Sequence, residues 1–141
     1  MTAKDFLQQA YFANHEVEMK LERIERLSAF ATRVTTQFKV IPVPSSNSSS
    51  RIEKAVTLID EQTDLLADEI VNLLEIIKNV ANAISTVKNF SERSVLEYRY
   101  LCFFSWKQIS ALMKTGVSNV YKIHSNALKN FSCSVVNSSK F

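Results

Sequence analysis

The feature that most constrains this chain is a regular series of apolar residues between positions 52 and 87. Consecutive members are separated alternately by four and three positions over five heptads, and every member except Thr63 is apolar. Such spacing places them all on one side of an α-helix, and so long an apolar stripe requires partner helices to cover it. This heptad series consists of Ile52, Val56, Ile59, Thr63, Leu66, Ile70, Leu73, Ile77, Val80, Ile84 and Val87.

A candidate partner helix precedes the heptad series. Thr2 and Asp5 have the spacing of a capping box, and neither glycine nor proline interrupts the chain from there to about Phe38. The apolar residues of this segment fall on one stripe, and oppositely charged residues four positions apart occupy much of the remaining surface. The sequence therefore predicts a second long helix.

The two long helices are separated by residues 39–50, KVIPVPSSNSSS, in which two prolines precede a Ser/Asn run. This composition is typical of a flexible loop. Ser50 and Glu53 again have capping-box spacing, so we expect the second helix to begin at Ser50 and to end near Lys88. Residues 1–88 are thus predicted to form a long antiparallel helical hairpin that is coiled-coil-like.

The apolar stripe of the second helix is wider than a two-helix contact needs, because Leu74 and Ile76 lie beside the heptad series. We expect a homodimer in which a second copy of the chain covers this surface. The alternative is a monomer whose hairpin also packs against the C-terminal part of the chain. The expected oligomerisation residues are Ile59, Leu66, Ile70, Leu73, Ile77 and Val80.

Composition favours an all-α protein without enzymatic activity. The 141 residues include one glycine and two prolines, and 46% are hydrophobic. No run of about 18 apolar residues and no signal-peptide layout occurs, so we expect a cytoplasmic protein without membrane contact. Cys102 and Cys133 form no metal-binding or redox pair, and no glycine-rich phosphate loop or nucleophile motif is present. We expect no cofactor and no bound metal.

Charge is distributed unevenly along the chain. Residues 1–88 contain ten Lys and Arg against twelve Asp and Glu, whereas residues 89–141 contain seven against two. A basic C-terminal region attached to a mildly acidic helical one suits contact with phosphates, although the same asymmetry occurs in proteins that do not bind nucleic acid.

The segment from Ser105 to Phe131 has the pattern of two helices separated by a tight break. Ser105 and Gln108 have S-x-x-Q capping spacing, and one apolar stripe ends at Met113. A second stripe resumes after Gly116, the only glycine in the chain. Glycine at a sharp turn serves either to adopt a positive φ or as an N-cap, and the sequence alone leaves both open.

Around the start of this segment, five aromatic residues fall within nine positions. The interpretation we favour is that they form the core of a small three-helix unit, which needs large side chains to bury enough area. The alternative is that they stack on bases of single-stranded nucleic acid. The five are Tyr98, Tyr100, Phe103, Phe104 and Trp106.

The sequence LEYRYLCFFSWKQISALM, followed by VYKIHSNALKNF, resembles the sigma-factor region-four type of helix-turn-helix. More narrowly, the chain is similar to ArpU-type late transcriptional regulators. The similarity lies in the pattern R-Y-L-x-F-x-S-W-x-x-I, then V-Y-x-I-H-x-x-A-L, together with an upstream P-x-x-S linker and R-x-E-K-A-V. These regulators are proteins of phages and prophages of Gram-positive bacteria. The resemblance covers nearly the whole chain and is most specific from Arg99 to Leu128.

The resemblance implies a sequence-specific DNA-binding regulator of a phage or mobile genetic element, acting in the cytoplasm of a bacterial host cell. Its expected partners are double-stranded DNA and a second copy of the chain. Residues 89–131 would form the small three-helix, helix-turn-helix domain, and residues 132–141 a flexible tail.

Members of such families tend to have glycine or asparagine at the position of Lys114 and a serine or threonine cap at the position of Gly116. In this chain the glycine lies two places later, so two starts of the second helix are possible. Either Gly116 caps it directly, or Ser118 does and the helix starts later.

With the earlier start, Val120, His124, Ala127 and Leu128 are expected to face the core. His124 stands where sigma-like helices usually carry leucine, which favours a hydrogen-bonded or half-buried histidine over a catalytic or metal-binding one. The residues expected to project towards DNA are Ser118, Asn119, Tyr121, Lys122 and Ser125, and the expected phosphate contacts are Lys107, Lys114, Lys129 and Arg93.

Two functional alternatives remain at this point. One is a protein-interaction module that binds RNA polymerase or another phage or host protein through the helical hairpin. The other, a terminase-like role in DNA packaging, also combines a helix-turn-helix with oligomerising helices.

Overall fold

The structure, a computed structural model, describes the backbone of residues 1–40 and 46–138 and the side chains of residues 1–37 and 49–131. Within this part of the chain there are five helices and no strand, which confirms the all-α prediction. The helices are α1 (Ala3–Val40), α2 (Ser46–Ser85), α3 (Phe90–Tyr100), α4 (Trp106–Met113) and α5 (Val117–Ser138).

The chain divides into two compact units, and both long helices contribute to each. Unit 1 comprises Met1–Asn14 and Leu74–Phe141, and unit 2 comprises His15–Leu73. This division differs from the predicted boundary at residue 88. The physical reason is that the start of α1 and the end of α2 bury their apolar side chains together with those of α3 and α5.

The core of unit 1 consists of two clusters of buried side chains. The first contains residues from α1, α2, α3 and α5, and the rings of Phe6 and Phe131 lie 5.8 Å apart at its edge. The second joins α3, α4 and α5 through Val95, Ile109 and Val120, each of which is fully buried. The members of the first cluster are Leu7, Ala10, Val80, Ile84, Val87, Leu96, Tyr100, Ala127 and Phe131.

Unit 2 is a pair of helices formed by the rest of α1 and α2. Val17 and Leu66 are buried there, and the other heptad positions of the unit are half-buried. The Lys20 ammonium lies 3.2 Å from a carboxylate oxygen of Glu16 and 3.2 Å from one of Glu69, so it links the two helices. The long N-terminal helix therefore pairs with the second long helix, as the heptad series predicts.

Thr63, the one polar member of the heptad series, needs no partner from another helix. Its hydroxyl donates a hydrogen bond to the Ile59 carbonyl oxygen at 2.8 Å, one turn earlier in α2. A half-buried hydroxyl is thus satisfied locally, which lowers the cost of placing it among apolar residues.

The start of α1 has the predicted capping box. The Thr2 backbone N–H donates to Asp5 Oδ2, and the Asp5 N–H donates to Thr2 Oγ1, both at 3.1 Å. These bonds, led by the one from the Thr2 backbone, lower the pKa of the Asp5 carboxyl. The first turn of α1 is therefore held in a defined position.

The start of α2 differs from the prediction, because the helix begins at Ser46 and Ser50 lies inside it. Serine and asparagine cost only a few tenths of a kcal/mol each relative to better helix formers, so a long helix can extend through a Ser/Asn run. The capping-box spacing at Ser50 was therefore a wrong start signal. The predicted loop 39–50 is helical in backbone at 39–40 and 46–50, and residues 41–45 lie outside the described part.

The C-terminal end also differs from the prediction. Helix α5 continues to Ser138, so residues 132–138 of the predicted tail are helical in backbone. No glycine or proline interrupts this stretch, and its serines and valines carry only a small propensity cost. Residues 139–141 lie outside the described part.

Candidate nucleic-acid interface

Helix α4 begins as its sequence predicts. The Gln108 backbone N–H donates to Ser105 Oγ at 3.2 Å, and the Ser105 N–H donates to Gln108 Oε1 at 2.8 Å. This reciprocal capping box satisfies two N–H groups that the first helical turn leaves free. Ile109, which follows it, is fully buried and anchors α4 in the second core cluster.

The turn after α4 is made by Lys114, which adopts the left-handed conformation with φ 54° and ψ 42°. Gly116 does not have a positive φ. Its carbonyl oxygen accepts hydrogen bonds from the N–H groups of Asn119 and Val120, both at 3.1 Å. Gly116 therefore occupies the N-cap position, and α5 begins at Val117.

This geometry selects the earlier of the two possible starts of α5 and places Ser118 inside the helix. The left-handed backbone conformation that the turn requires is therefore adopted by Lys114 and not by Gly116. A Cβ atom added at Gly116 would meet no other atom within 4 Å. The space around position 116 therefore does not require a glycine there.

Side chains tie the turn together. The Ser110 hydroxyl donates to the Thr115 carbonyl oxygen, and the Thr115 N–H donates to the Ser110 carbonyl oxygen at 3.2 Å. Asn119 Nδ2 donates to Thr115 Oγ1 at 2.9 Å. The amide of Asn119 is therefore oriented before any ligand binds, with its oxygen and one N–H still available.

Helix α5 has one buried face and one polar, exposed face. Val120 and Ala127 are completely buried, His124 is 8% exposed, and Leu128 is half-buried. The core-facing positions predicted for the earlier start are thereby confirmed. The exposed face carries all five residues predicted to project towards DNA: Ser118, Asn119, Tyr121, Lys122 and Ser125.

Part of this exposed face is a shallow depression of about 390 Å³. Tyr121, Lys122, Ser125 and Asn126 line it. Three of these four belong to the predicted set, so the structure brings most of that set together on one patch.

The four cations predicted to contact phosphates fall into two groups. Lys107, Lys114 and Lys129 are exposed. Arg93 is half-buried, donates from Nη1 to the Val87 carbonyl oxygen at 2.9 Å, and lies over the Phe90 ring at 5.7 Å. Arg93 thus already has partners in the α2–α3 connection and at the start of α3.

Sequence reasoning missed a cation that lies next to the exposed face of α5. The Arg99 guanidinium lies 4.4 Å from the centre of the Trp106 ring, and its Nη1 donates to the Phe104 carbonyl oxygen at 3.0 Å. The Trp106 ring in turn lies 5.1 Å from that of Tyr121. The signal available in the sequence was that Arg99 stands within the aromatic run, where cation–π contacts form readily.

His124 is held as a neutral histidine within unit 1. Its Nε2 and the Tyr100 hydroxyl oxygen are 2.8 Å apart and share a hydrogen bond, and its ring contacts Trp106 edge-on at 4.7 Å. Burial, followed by the nearby positive charges of Lys4 and Arg99, lowers the pKa of His124 to about 4. Burial also raises the pKa of the Tyr100 hydroxyl. His124 is thus hydrogen-bonded, in agreement with the prediction of a hydrogen-bonded or half-buried histidine.

The aromatic run contributes to the core, as the favoured interpretation predicts. Tyr100 belongs to the first core cluster, and Tyr98, Phe104 and Trp106 pack against the second. The rings of Tyr98 and Phe104 stack at 5.9 Å.

The residues predicted for oligomerisation are covered to different extents within one chain. Leu66 and Val80 are buried, and the other four are half-buried. The apolar side chains exposed on α2 lie beside them: Leu58 at 50% and Leu65 at 63% in unit 2, and Leu74 at 49% in unit 1.

Three further observations concern other kinds of site. Within residues 1–37 and 49–131, His, Cys, Asp and Glu side chains form no group of three that could hold a metal ion. No helix in the described ranges has the length and apolar content needed to cross a membrane. The Cys102 thiol is free and exposed.

Comparisons with known proteins found no relative of this chain. No protein-family model matches the sequence, and no curated protein or solved structure is significantly similar to it.

Proposed function

We propose that this protein is a sequence-specific DNA-binding transcriptional regulator of a phage or mobile genetic element, related to the ArpU-type late regulators. In this proposal α4 and α5 form a helix-turn-helix whose recognition helix is α5. Two chains act together as a dimer through their long helices.

The observation that carries the proposal is the division of α5 into a buried face and an exposed polar face directly after a tight turn. A recognition helix enters the major groove with the residues of its N-terminal half at the base edges. Asn119, Lys122 and Ser125 lie on that half and are exposed. Their amide, ammonium and hydroxyl groups match donors and acceptors of bases and phosphates.

Within this interface we assign roles by chemistry. The Asn119 amide, oriented by Thr115, suits the N6 and N7 atoms of adenine, and the Lys122 ammonium suits guanine or a phosphate. Tyr121 and Ser125 suit the sugar-phosphate backbone. The exposed Lys107, Lys114 and Lys129 would position the domain on the duplex without reading its sequence.

Charge supports the same proposal. Unit 1 contains ten Lys and Arg against four Asp and Glu, whereas unit 2 contains seven against ten. A net positive unit that carries the α5 face raises the local concentration of a polyanion, and counterion release adds to its affinity.

The long helices are proposed to form an antiparallel hairpin that dimerises. Leu7 and Ala10 of α1 cluster with Val80 and Ile84 of α2, while Lys20, further along α1, pairs with Glu69, nearer the start of α2. The half-buried heptad positions and exposed Leu58, Leu65 and Leu74 leave apolar surface for a second chain. A two-fold dimer would place two α5 helices on inverted half-sites about 34 Å apart or a multiple of that distance.

The experiment is selection of bound fragments from a random DNA pool, followed by gel retardation with the selected site. The double variant Asn119→Ala/Lys122→Ala is expected to lose specific retardation by at least about tenfold, because each lost base contact costs roughly 1–3 kcal/mol. Lys54→Ala, which removes an exposed cation from unit 2, is the matched control and should bind as the parent does.

Circular dichroism of each variant checks that the helices remain. Equal retardation of the parent and the double variant would refute the assignment of the site. A pool that shows no enrichment would refute sequence-specific binding itself.

Salt dependence separates this function from the second candidate. The logarithm of the DNA affinity should fall with the logarithm of salt concentration, with a slope of about −0.9 per phosphate neutralised. The exposed apolar side chains Leu58 and Leu65 of α2 favour the second candidate, a module that binds RNA polymerase or another phage or host protein. An affinity for such a partner should respond little to salt.

A further inference from the structure

Unit 1 contains a groove of about 470 Å³ between the start of α1 and the α3–α4 connection. Lys4, Gln8 and Tyr11 line it from α1. Arg99, Phe103 and Trp106 line it from the other side. Its volume falls within the range of roughly 300–1,000 Å³ that is typical of small-molecule sites.

The groove is positively charged. Lys4 and Arg99 both line it, and no Asp or Glu is among its described lining residues. Neither cation forms an ion pair with any carboxylate that the structure describes. Asp5, the acidic neighbour of Lys4 in sequence, does not line the groove. Both cations also act on His124, lowering its pKa, so their field extends into the core behind the groove.

The groove also has aromatic walls. Tyr11 is 55% exposed and its ring lies 6.1 Å from that of Phe103. On the other wall, the planar Arg99 guanidinium lies over the Trp106 ring at 4.4 Å. Because only one N–H of Arg99 is used by the Phe104 carbonyl oxygen, its other N–H groups remain available to an anion.

Phe103 has an unusual backbone. Its φ is 61°, in the left-handed region that a bulky residue rarely adopts. The flanking backbone is held in place, because the Phe104 N–H donates to the Tyr98 carbonyl oxygen at 3.0 Å. Strained residues of this kind occur preferentially at ligand sites.

We propose that this groove binds a small anionic aromatic molecule, namely a carboxylate attached to a planar ring system. The carboxylate pairs with Arg99 and Lys4, and the ring packs against Tyr11, Phe103 and Trp106. A guanidinium matches a carboxylate by two parallel hydrogen bonds, and aromatic walls prefer a flat, apolar partner. A DNA phosphate fits less well, because it lacks a ring to occupy the aromatic part.

The test uses the full chain without DNA, so its result is independent of the proposed DNA binding. Trp106 is the only tryptophan, so its indole N–H gives a single signal in a proton–nitrogen correlation spectrum and reports directly on the groove. The probes are 2-naphthoate, its uncharged analogue 2-naphthamide, and inorganic phosphate. We expect saturable shifts of the Trp106 signal with 2-naphthoate, about tenfold weaker binding of 2-naphthamide, and no saturable shift with phosphate.

Two exposed lining residues supply the variants, because they can be changed without opening the core. Lys4→Ala and Tyr11→Ala should each weaken 2-naphthoate binding about threefold or more. Lys78→Ala removes an exposed cation of unit 1 that lies outside the groove lining and has no assigned contact with DNA, and it should bind the probe as the parent does.

Four outcomes would overturn the proposal. They are the absence of any shift with 2-naphthoate, equal affinity for 2-naphthamide, equal affinity for phosphate, and unchanged 2-naphthoate binding by both Lys4→Ala and Tyr11→Ala. Equal affinity for phosphate would instead identify a general anion site, such as one for a nucleic-acid backbone.

Discussion

Units 1 and 2 use the same two long helices in different ways. Of the fifteen buried apolar residues in the described part of the chain, thirteen belong to unit 1, and only Val17 and Leu66 belong to unit 2. The charges differ as well, since unit 1 is net positive and unit 2 net negative. Burial and net charge therefore both differ between the parts of α1 and α2 that belong to unit 1 and those that belong to unit 2.

The difference shows what a third layer of helices contributes. Two helices cover each other along one stripe, so most heptad residues between them stay half-exposed at the edges. In unit 1, α3 and α5 close those edges, and Val80, Ile84 and Val87 become buried. In unit 2 the described chain offers no such layer, and Ile59 and Ile70 remain half-buried.

The largest expected effect is the difference in stability caused by the same substitution, isoleucine to alanine, at two positions of α2. Ile84 is completely buried in unit 1, and Ile70 is half-buried in unit 2. We expect Ile84→Ala to lower the free energy of unfolding by roughly 3–4 kcal/mol and Ile70→Ala, at protein concentrations low enough to keep the chain monomeric, by roughly 1–2 kcal/mol. Urea unfolding followed by circular dichroism measures both, and Lys54→Ala serves as a surface control.

The same experiment at several protein concentrations tests the proposed dimer. If a second chain covers unit 2, the cost of Ile70→Ala should approach that of Ile84→Ala, and the unfolding midpoint should rise with protein concentration. Equal costs without any concentration dependence would contradict the contrast between the two units.

The next effect concerns the buried histidine of unit 1. His124 has a folded-state pKa of about 4 against an ordinary value of 6.5. Between these two values the unfolded chain binds a proton that the folded chain does not, so stability is fully present above pH 6.5 and is lost as the pH falls towards 4. We expect this residue to account for a loss of roughly 2–3 kcal/mol between pH 7 and pH 4.

His124→Gln is the matched variant, because it removes the titration and keeps groups that can hydrogen-bond to the Tyr100 hydroxyl. The difference between the parent and the variant, measured by urea unfolding at each pH, isolates the histidine from other titrating groups. Parallel stability curves from pH 7 to pH 4 would show that His124 is not held neutral.

The smallest effect concerns the turn between α4 and α5. Lys114 adopts a left-handed conformation that a residue with a Cβ atom reaches only at a cost. We expect Lys114→Gly to raise the free energy of unfolding by about 0.5–1 kcal/mol. Thermal unfolding at constant protein concentration gives the measurement.

Gly116→Ala is the control for this turn. Its new methyl group would meet nothing within 4 Å, so we expect a change of no more than about 1 kcal/mol, from the weaker N-cap. A destabilising effect of Lys114→Gly would mean that the Lys114 side chain contributes more than its backbone conformation costs.

Local patterns in the sequence were sufficient for much of the fold. The capping boxes at Thr2 and Ser105, the apolar stripes of α1 and α2 and the scarcity of glycine all predict helices that the structure contains. The faces of α5 also followed once its start was known, because helical periodicity determines which side chains share a side. Ser50 shows the limit, since a capping signal only a few residues inside a Ser/Asn run did not identify the helix start.

What the sequence by itself determined was therefore the all-α class, the pairing of the long helices and the polar set on α5, because these depend on residues a few positions apart. Tertiary structure decided which residues belong to one core, how Lys114 rather than Gly116 makes the turn, and how Lys4 comes to share a groove with Arg99. These outcomes join residues up to 124 positions apart, as for Leu7 and Phe131 of the first core cluster, and no local spacing encodes them. They depend on how the helices pack, and packing is set by the combined burial of many side chains rather than by any single signal.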